Sequence, residues 1–407
     1  MRLLHTADWH VGRTIRGRSR HEEHEAVLAE LVELAERDGV DAVLVCGDLF
    51  DSAAPTAEAE RLVYRALLAL AGERRHVVVI AGNHDNPRRL DAVRPLLGLG
   101  RVHVAPFVAR PDEGGVLSLQ VAGEPLTVAL APFLSQRYVV HADALMSADA
   151  DELVGDYQHR LGRVFAALRE GFDPSAVNVV AAHLTVVGGA LGGGERPAHT
   201  VFAYAVPAAL LPADAHYAAL GHLHRCQPAG AGCPAWYSGS PLQLDFGDEA
   251  NEPAALVIDA TPGTPAVVET RLLRAGRRLR TLAGDAAQLA ELAGVVGDDS
   301  HLRLLVEGEA RAGLVEELRE LFPQAVEVRL GQPGAAPGAA AGVSRLGRSP
   351  AELFAEYLAE RQAQDPRVEA LFAELADTAA LAARDDAAAL AAPDDAAGGV
   401  RAGHDAA

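Results

Sequence analysis

Five stretches of this chain end runs of strand-forming residues in side chains that bind cations. Asp8-Trp9-His10 follows residues 2–6, and Gly47-Asp48-Leu49-Phe50-Asp51 follows residues 42–46. Gly82-Asn83-His84-Asp85 follows residues 76–81, His183 closes residues 177–182, and Gly221-His222-Leu223-His224 follows residues 216–220. In an extended segment side chains alternate, so Asp8-x-His10 and His222-x-His224 each put two donors on one side. Oxygen beside imidazole nitrogen suits Mn²⁺, Fe²⁺ or Zn²⁺. Taken singly these signals are weak: Asp8-x-His10 suits an ordinary strand-end turn equally well, and a lone His183 is more often structural. Taken together, Asp8, His10, Asp48, Asn83, His183, His222 and His224 can hold two divalent cations. Asp48 is the bridging candidate, because a carboxylate spans two cations where an imidazole does not. Two cations roughly 3.5–4 Å apart clamp a phosphate and bring the pKa of a bound water toward neutrality. His84 is left over beside Asn83, as proton donor to a leaving oxygen or as stabiliser of the charged transition state. Asp51 is placed to orient its neighbours rather than to ligate.

These residues need strands that end together. The glycines at 47, 82 and 221 allow sharp turns there, and the carboxyl edge of a layered α/β sheet is where such proteins build sites. Helices are expected from Val27, Leu28, Leu31, Leu34 and Ala35 at helical spacing, from Pro55 to Gly72, after Pro87, and near 151–169. Residues 100–135 read as short antiparallel strands, and 254–272 as a hairpin about residues 261–265. Arg13, Arg16, Arg18 and Arg20 could grip phosphate, but their charge alone reads as a solvated loop. His21 and His24 read as surface residues, and the glycine-rich 188–194 as a mobile loop. No Gly-Lys-Ser/Thr follows it, so it is not a P-loop.

The 407 residues exceed one average domain, and 49% hydrophobic content is enough to fold most of them. All 36 basic residues are arginine, and the net charge of −20 excludes a generally basic nucleic-acid coat. It leaves open an enzyme whose metals and local arginines hold the nucleic-acid backbone. Cys46, Cys226 and Cys233 form no Cys-x-x-Cys pair and fit a reducing cytoplasm. No signal-peptide core and no membrane-spanning apolar run is visible.

The ordered motifs resemble those of the calcineurin-like metallophosphoesterases. Within that superfamily, residues 4–10, Gly82-Asn83-His84-Asp85-Asn86-Pro87-Arg88-Arg89-Leu90, residues 219–225 and Tyr237-Ser238-Gly239-Ser240-Pro241-Leu242 are similar to the nuclease subunits of bacterial SbcCD-type complexes. The likeness covers about residues 1–376. It implies an α/β fold: a two-sheet α/β/β/α sandwich with a small α/β capping domain and C-terminal helices. It implies one cation on Asp8, His10, Asp48 and His224, the other on Asp48, Asn83, His183 and His222, and a catalytic His84. It further implies two Mn²⁺ ions and 3′→5′ exonuclease action on duplex DNA. Endonuclease action on single strands and hairpins would serve DNA repair, recombination and replication. The implied partners are DNA, an SbcC-like coiled-coil ATPase in a heterotetramer, and a second nuclease domain in a homodimer, with no membrane. Serine often follows Gly-Asn-His-Asp in the family, where this chain has Asn86.

The expected organisation is a nuclease domain over 1–275, a capping domain over 276–334 and a Gly/Ala/Pro-rich linker over 335–349. Partner-binding helices over 350–376 carry apolar stripes of Leu353, Phe354, Tyr357 and Leu358 and of Val368, Leu371, Phe372 and Leu375. A disordered Ala/Asp-rich tail takes 377–407. Two rivals share the metal core or the fold: a phosphatase or nucleotide phosphodiesterase acting on small phosphoesters, and a non-catalytic scaffold. The added C-terminal parts speak against the first, and the intact ligand set with His84 against the second.

Overall fold

The apolar runs fold into two six-stranded sheets with helices outside them. The computed structural model describes residues 1–135, 138–140, 142, 146, 157–195, 205–293, 295–297, 299–308 and 311–330. It also describes Phe354, Leu358, Asp365, Arg367, Val368, Leu371 and Phe372. The chain divides into two compact units, Met1–Ala340 and Ala341–Ala407.

In the first unit β1 (Arg2–Thr6), β2 (Ala42–Cys46), β3 (His76–Ile80) and β4 (Val102–Ala105) precede the hairpin β5 (Val116–Val121) and β6 (Glu124–Ala131). Then come β7 (Val177–His183), β8 (Tyr217–Gly221), β9 (Ala235–Tyr237) and the hairpin β10 (Ala254–Thr261) and β11 (Thr264–Leu272). One sheet has the order β11-β10-β1-β2-β3-β4; the other runs from Gln227–Pro228 through β9-β8-β7-β6-β5. β1 to β4 are parallel, in registers such as Leu4↔Val43 and Val43↔Val77. β6 to β9 are parallel too, with Leu126↔Val177 and Tyr217↔Val179. Parallel strands covered on both faces read as unbroken apolar runs, which is why Val43-Leu44-Val45-Cys46 shows no alternation. Alternate residues still enter different layers. Leu4, Val43, Val45, Val77 and Val79 pack under helices, whereas Leu3, Leu44, Cys46, Val78 and Ile80 pack against Val128, Val179 and Ala219 of the second sheet. The helices are α1 (His21–Arg37), α2 (Ala57–Ala71) and α3 (Pro87–Gly98) over the first sheet and α4 (Tyr157–Arg169) over the second. The expected α/β/β/α sandwich is present.

β4 corrects the reading of 100–135: it extends the first sheet in parallel, and only β5 and β6 are antiparallel. α3 explains Asn86. Its side chain caps the helix by accepting from the amides of Arg88 and Arg89, with Pro87 in the first turn. Serine and asparagine are near-equal N-caps, so this departure from the family changes little.

β12 (Arg278–Gly284), α5 (Ala286–Leu292), β13 (Ser300–Val306), α6 (Leu314–Leu321) and β14 (Ala325–Leu330) make a parallel three-stranded module. It has its own core of Leu289, Leu302, Leu304, Leu318 and Phe322, yet lies within the same compact unit as the sandwich. Ile15, Phe246 and Leu279 form a small buried cluster between the two.

The arginine stretch after His10 is exposed at Arg16 and Arg18, as a solvated loop would be, but both side chains are paired with other parts of the chain. Arg16 pairs with Asp245 at 2.9 Å and Glu327 at 2.8 Å, and Arg18 donates to the carbonyls of Pro323 and Ala325. Arg20 is fully buried on Glu23 at 2.7 Å, and Glu23 also meets His301 of the module at 2.7 Å. His24 is likewise buried, its Nδ1 2.9 Å from the Arg20 carbonyl. The loop at 188–194 is latched, because Glu195 accepts from the amides of Gly192 at 2.6 Å and Gly193 at 2.7 Å.

In the second unit Phe354 and Phe372 stack with ring centroids 4.0 Å apart, so the two expected stripes meet there. The linker over 335–349, the tail over 377–407 and most of the helices over 350–376 lie outside the described residues, as do 151–156. Among the described residues no helix is long and apolar enough to cross a membrane.

Candidate metal centre

The parallel strands deliver their carboxyl ends to one edge, and short backbone bonds lock those ends together. Asp8 N donates to Gly47 O at 3.0 Å, His10 N to Asp48 O at 2.9 Å and Val11 N to Leu49 O at 3.0 Å. Side chains complete the weave. His84 N donates to Asp48 Oδ1 at 2.7 Å and His222 N to Asp8 Oδ1 at 3.0 Å. Asp85 accepts from Gly82 N at 2.8 Å and Phe50 N at 3.1 Å. Asp8, His10, Asp48 and His222 all have positive φ, at 55°, 46°, 51° and 101°. Such backbone is uncommon outside glycine and gathers at functional sites.

Asp48 Oδ2 lies 3.5 Å from His10 Nε2 and 3.5 Å from His183 Nε2. On one side Asp8, His10 and His224 offer donors within 4.8 Å of one another; on the other Asp48, His183 and His222 do so. Asn83 Oδ1 joins the second group, 3.0 Å from His183 Nε2 and 2.7 Å from His222 Nδ1. Donors held at about 2.1 Å from an octahedral cation stand about 3 Å apart along an edge, so these spacings fit. His183 Nδ1 faces Cys46 O at 2.7 Å, which as a pure acceptor takes the ring proton and turns the Nε2 lone pair toward the site. Both ring nitrogens of His10 are buried and neither makes a hydrogen bond among the described residues. A buried polar atom without a partner is costly, and a cation is the partner these residues fit.

The charges are unevenly held. Burial pushes the Asp8 carboxyl up to about 7, against the pull of His183 and His224. Burial works against Asp48 as well, yet His183, His10 and His84 hold it well below the usual carboxylate range. His183 is lifted to about 9, burial being outweighed by Asp48; His224 reaches about 9 against burial, through Asp248 and Asp8. Burial keeps His10 well below its ordinary value. Cation binding must therefore displace protons from His183 and His224.

His84 is buried, 5% exposed, its ring centroid 4.5 Å from that of His10. Its Nδ1 lies 2.7 Å from Asp51 O, so that nitrogen carries the proton and Nε2 the lone pair. His84 also falls within donor distance of His10 and Asp48. Asp51 Oδ1 is 3.8 Å from His10 Nδ1 and 3.0 Å from Arg13, beside the clustered donors.

The description "calcineurin-like phosphoesterase" matches residues 1–226. SbcD, a subunit of the nuclease SbcCD, from Bacillus subtilis is 40% identical over 69% of this chain and 71% of that protein. The SbcD of Rhodobacter capsulatus is 36% identical over 65% and 67%, and that of Escherichia coli K12 31% identical over 71% and 72%. The chain belongs to the calcineurin-like phosphoesterases, in the SbcD family. It is a phosphodiester hydrolase whose clustered His and Asp residues bind divalent metal.

Beyond the strand-end motifs, the family fold recruits residues that sequence reasoning missed. Phe133 stacks on the His222 ring at 6.0 Å and meets His183 edge-on at 6.1 Å. Its amide donates to Ala81 O at 2.9 Å, so the turn after β6 walls the site. Asp248 lies 3.8 Å from His224 Nδ1, and Glu195 accepts from His224 N at 3.0 Å. A lone aromatic two residues past a strand and two acids in polar loops carry no spacing signal.

Proposed function

We propose that this chain is the metal-dependent DNA nuclease subunit of an SbcCD-type complex, acting in DNA repair, recombination and replication. The observation that carries the chemistry is Asp48 Oδ2 standing 3.5 Å from a histidine of each half-site. The similarity to named nuclease subunits supports the choice of DNA over small phosphoesters. In this reading Asp8, His10, Asp48 and His224 hold one cation, and Asp48, Asn83, His183 and His222 the other. Mn²⁺ suits this mix of carboxylate, amide and imidazole donors. The bound pair neutralises a phosphodiester and lowers the pKa of a water. Asp51 O holds the proton on His84 Nδ1, so Nε2 takes up a second proton, and it is this imidazolium that would pass its Nε2 proton to the leaving oxygen.

The activities proposed are 3′→5′ exonuclease on duplex DNA and endonuclease on single strands and hairpins. Residues 276–334 are read as a cap and 350–376 as docking helices for an SbcC-like ATPase in a heterotetramer. Leu68, Leu96 and Leu99, 44%, 69% and 86% exposed on α2 and at the end of α3, support a homodimer of the nuclease domain. Three unpaired cysteines support a cytoplasmic setting. The test is Mn²⁺-dependent degradation of end-labelled duplex DNA, with and without the ATPase subunit and ATP. Turnover of p-nitrophenyl phosphate with DNA left intact would replace this reading by the small-phosphoester one.

A further inference from the structure

Two loops converge on His224. Asp248 is 1% exposed. Its Oδ2 accepts from Leu244 N at 3.0 Å and Asp245 N at 3.2 Å, and its Oδ1 accepts from Asn251 Nδ2 at 3.1 Å. That carboxylate faces His224 Nδ1 across 3.8 Å, a charged contact too long to be a hydrogen bond. His224 Nδ1 is buried and has no hydrogen-bond partner among the described residues. The glycine strap closes over the pair. A Cβ on Gly192 would fall 2.6 Å from Asp248 Oδ1, and one on Gly194 2.7 Å from Asp248 Oδ2 and 2.8 Å from His224 Nδ1. Glycine is thus required for the loop to approach so closely. Glu195 holds the strap down with three backbone amides, those of Gly192, Gly193 and His224.

The turn that carries Asp248 is gripped from the far side. Asp245 and Asp248 form its reciprocal capping pair, and Phe246 between them is buried with Ile15 and Leu279. Arg16 spans Asp245 and Glu327 of β14 at 2.9 and 2.8 Å. The Arg16 and Arg303 guanidinium carbons stand 5.6 and 4.7 Å from the Phe246 ring centre. Both distances lie within the range of cation–π attraction. Glu327 and Arg303 belong to the module, so its seating bears on the turn and, through Asp248, on a histidine at the metal centre.

We propose that Asp248 is a positioning residue for His224, and that the Arg16–Phe246–Arg303 clamp ties this carboxylate to the module. An imidazole ligates through one nitrogen only when its proton is kept on the other. Asp248 is the negative charge that faces Nδ1 at 3.8 Å and favours the proton there, leaving Nε2 for the cation shared with Asp8 and His10. The inference rests on the dinuclear reading of the centre, and the test separates the two.

Mn²⁺ binding to the full chain without DNA is measured by titration calorimetry, alongside thermal melting in chelator. Asp248→Asn keeps the size of the side chain and an oxygen for the Leu244 and Asp245 amides, but removes the charge. It is expected to weaken one of two Mn²⁺ ions by about 10–100-fold, the usual effect of losing a carboxylate behind a metal-bound histidine, and to leave the other within about twofold. Asp248→Glu is expected to recover most of that affinity. Unchanged binding in Asp248→Asn, or equal weakening of both ions, overturns the proposal. Should Asp248→Asn fail to fold, Arg16→Ala decides: it leaves the carboxylate and all ligands in place and is expected to weaken the same ion several-fold. Unchanged affinity there overturns the proposal. A wild-type chain that takes up no pair of cations would instead bring down the dinuclear reading itself.

Discussion

Gly82→Ala tests the site through one methyl group. A Cβ at Gly82 would stand 2.7 Å from Asp48 Cγ, and closer still to its Oδ1 and amide nitrogen. Carbon atoms pack at about 3.5–4.0 Å, so the carboxylate must retreat by about 1 Å or the turn must open. Gly82 does not have positive φ, so the effect is steric and not a matter of backbone conformation. Asp48 has nowhere neutral to go. Its Oδ1 is held by His84 N at 2.7 Å and its Oδ2 sits midway between His10 and His183 at 3.5 Å from each. A shift of that size gives the bridge to one side. Misplacing a reacting group by about 1 Å can lower a rate on the order of 10²-fold. Overpacking costs about 1–3 kcal/mol, small against the usual 5–15 kcal/mol of a folded domain, so the variant should fold. The expected result is DNA cleavage down about 10²-fold, with at least one Mn²⁺ bound more weakly and a melting point lowered by a few degrees. Gly263→Ala is the control: it lies in the β10–β11 turn with φ 81° and nothing within 4 Å of its Cβ. It should cost stability only. Wild-type cleavage and two tightly bound Mn²⁺ in Gly82→Ala would show that the packing of Gly82 on Asp48 does not hold the bridge.

Asp48→Asn should lose metal occupancy and cleavage together; two bound Mn²⁺ per chain with full activity would remove Asp48 from the bridging role. His84→Ala should keep both cations and DNA binding while the rate falls on the order of 10²–10⁴-fold, the usual worth of a general acid. Loss of metal in that variant would make His84 a ligand. Glu23 gives a pH test away from the site. Against burial, His301 and Arg20 hold its carboxyl near 2 instead of 4.5. A depressed carboxyl contributes its stability above its unfolded value and loses it as pH falls through the folded one. Glu23→Gln should therefore be less stable than wild type at neutral pH in urea unfolding, with the gap closing between about pH 4.5 and pH 2. A gap independent of pH would deny that the Glu23 charge supports the junction of α1 with the module.

What the sequence made readable had a period or a punctuation mark. The parallel strands stood out as apolar runs because both faces are covered, and glycines at 47, 82 and 221 marked where they end. His24 was missed although the signal was present. Residues 20, 24, 27, 28 and 31 share one helical stripe, so Arg20 and His24 point where Val27, Leu28 and Leu31 point. Polar type was allowed to outweigh position, and the buried Arg20–Glu23–His301 network shows why position won: each charge has its partner inside. In residues 188–194 the glycines suggested freedom, but Gly192 and Gly194 also have a packing reason, because Asp248, Asn251 and His224 leave no room there for a Cβ. Asp248 and Glu195 could not be found at all, since the loops that carry them meet His224 without regular spacing.

The centre shows why such a site needs the whole sandwich beneath it. Asp8, His10, Asp48 and His222 each adopt positive φ, a conformation that disfavours an L-residue by about 1–2 kcal/mol. No local preference would hold four of them at once. The bonds that hold them run between strands: Asp8 to Gly47, His10 to Asp48, His222 to the Asp8 carboxylate and His84 to the Asp48 carboxylate. Each strained residue thus receives its hydrogen bond from, or gives it to, another strand end. The glycines make the same point sterically. A Cβ on Gly47 would fall 2.9 Å from Gly82 Cα, and one on Gly221 2.8 Å from His183 Nδ1. The three turns can converge on one candidate metal centre only because all three lack a side chain at that level. Strain, glycine packing and ligand geometry are therefore one feature, and a substitution that relaxes any of them should be read first at Asp48, where the two half-sites meet.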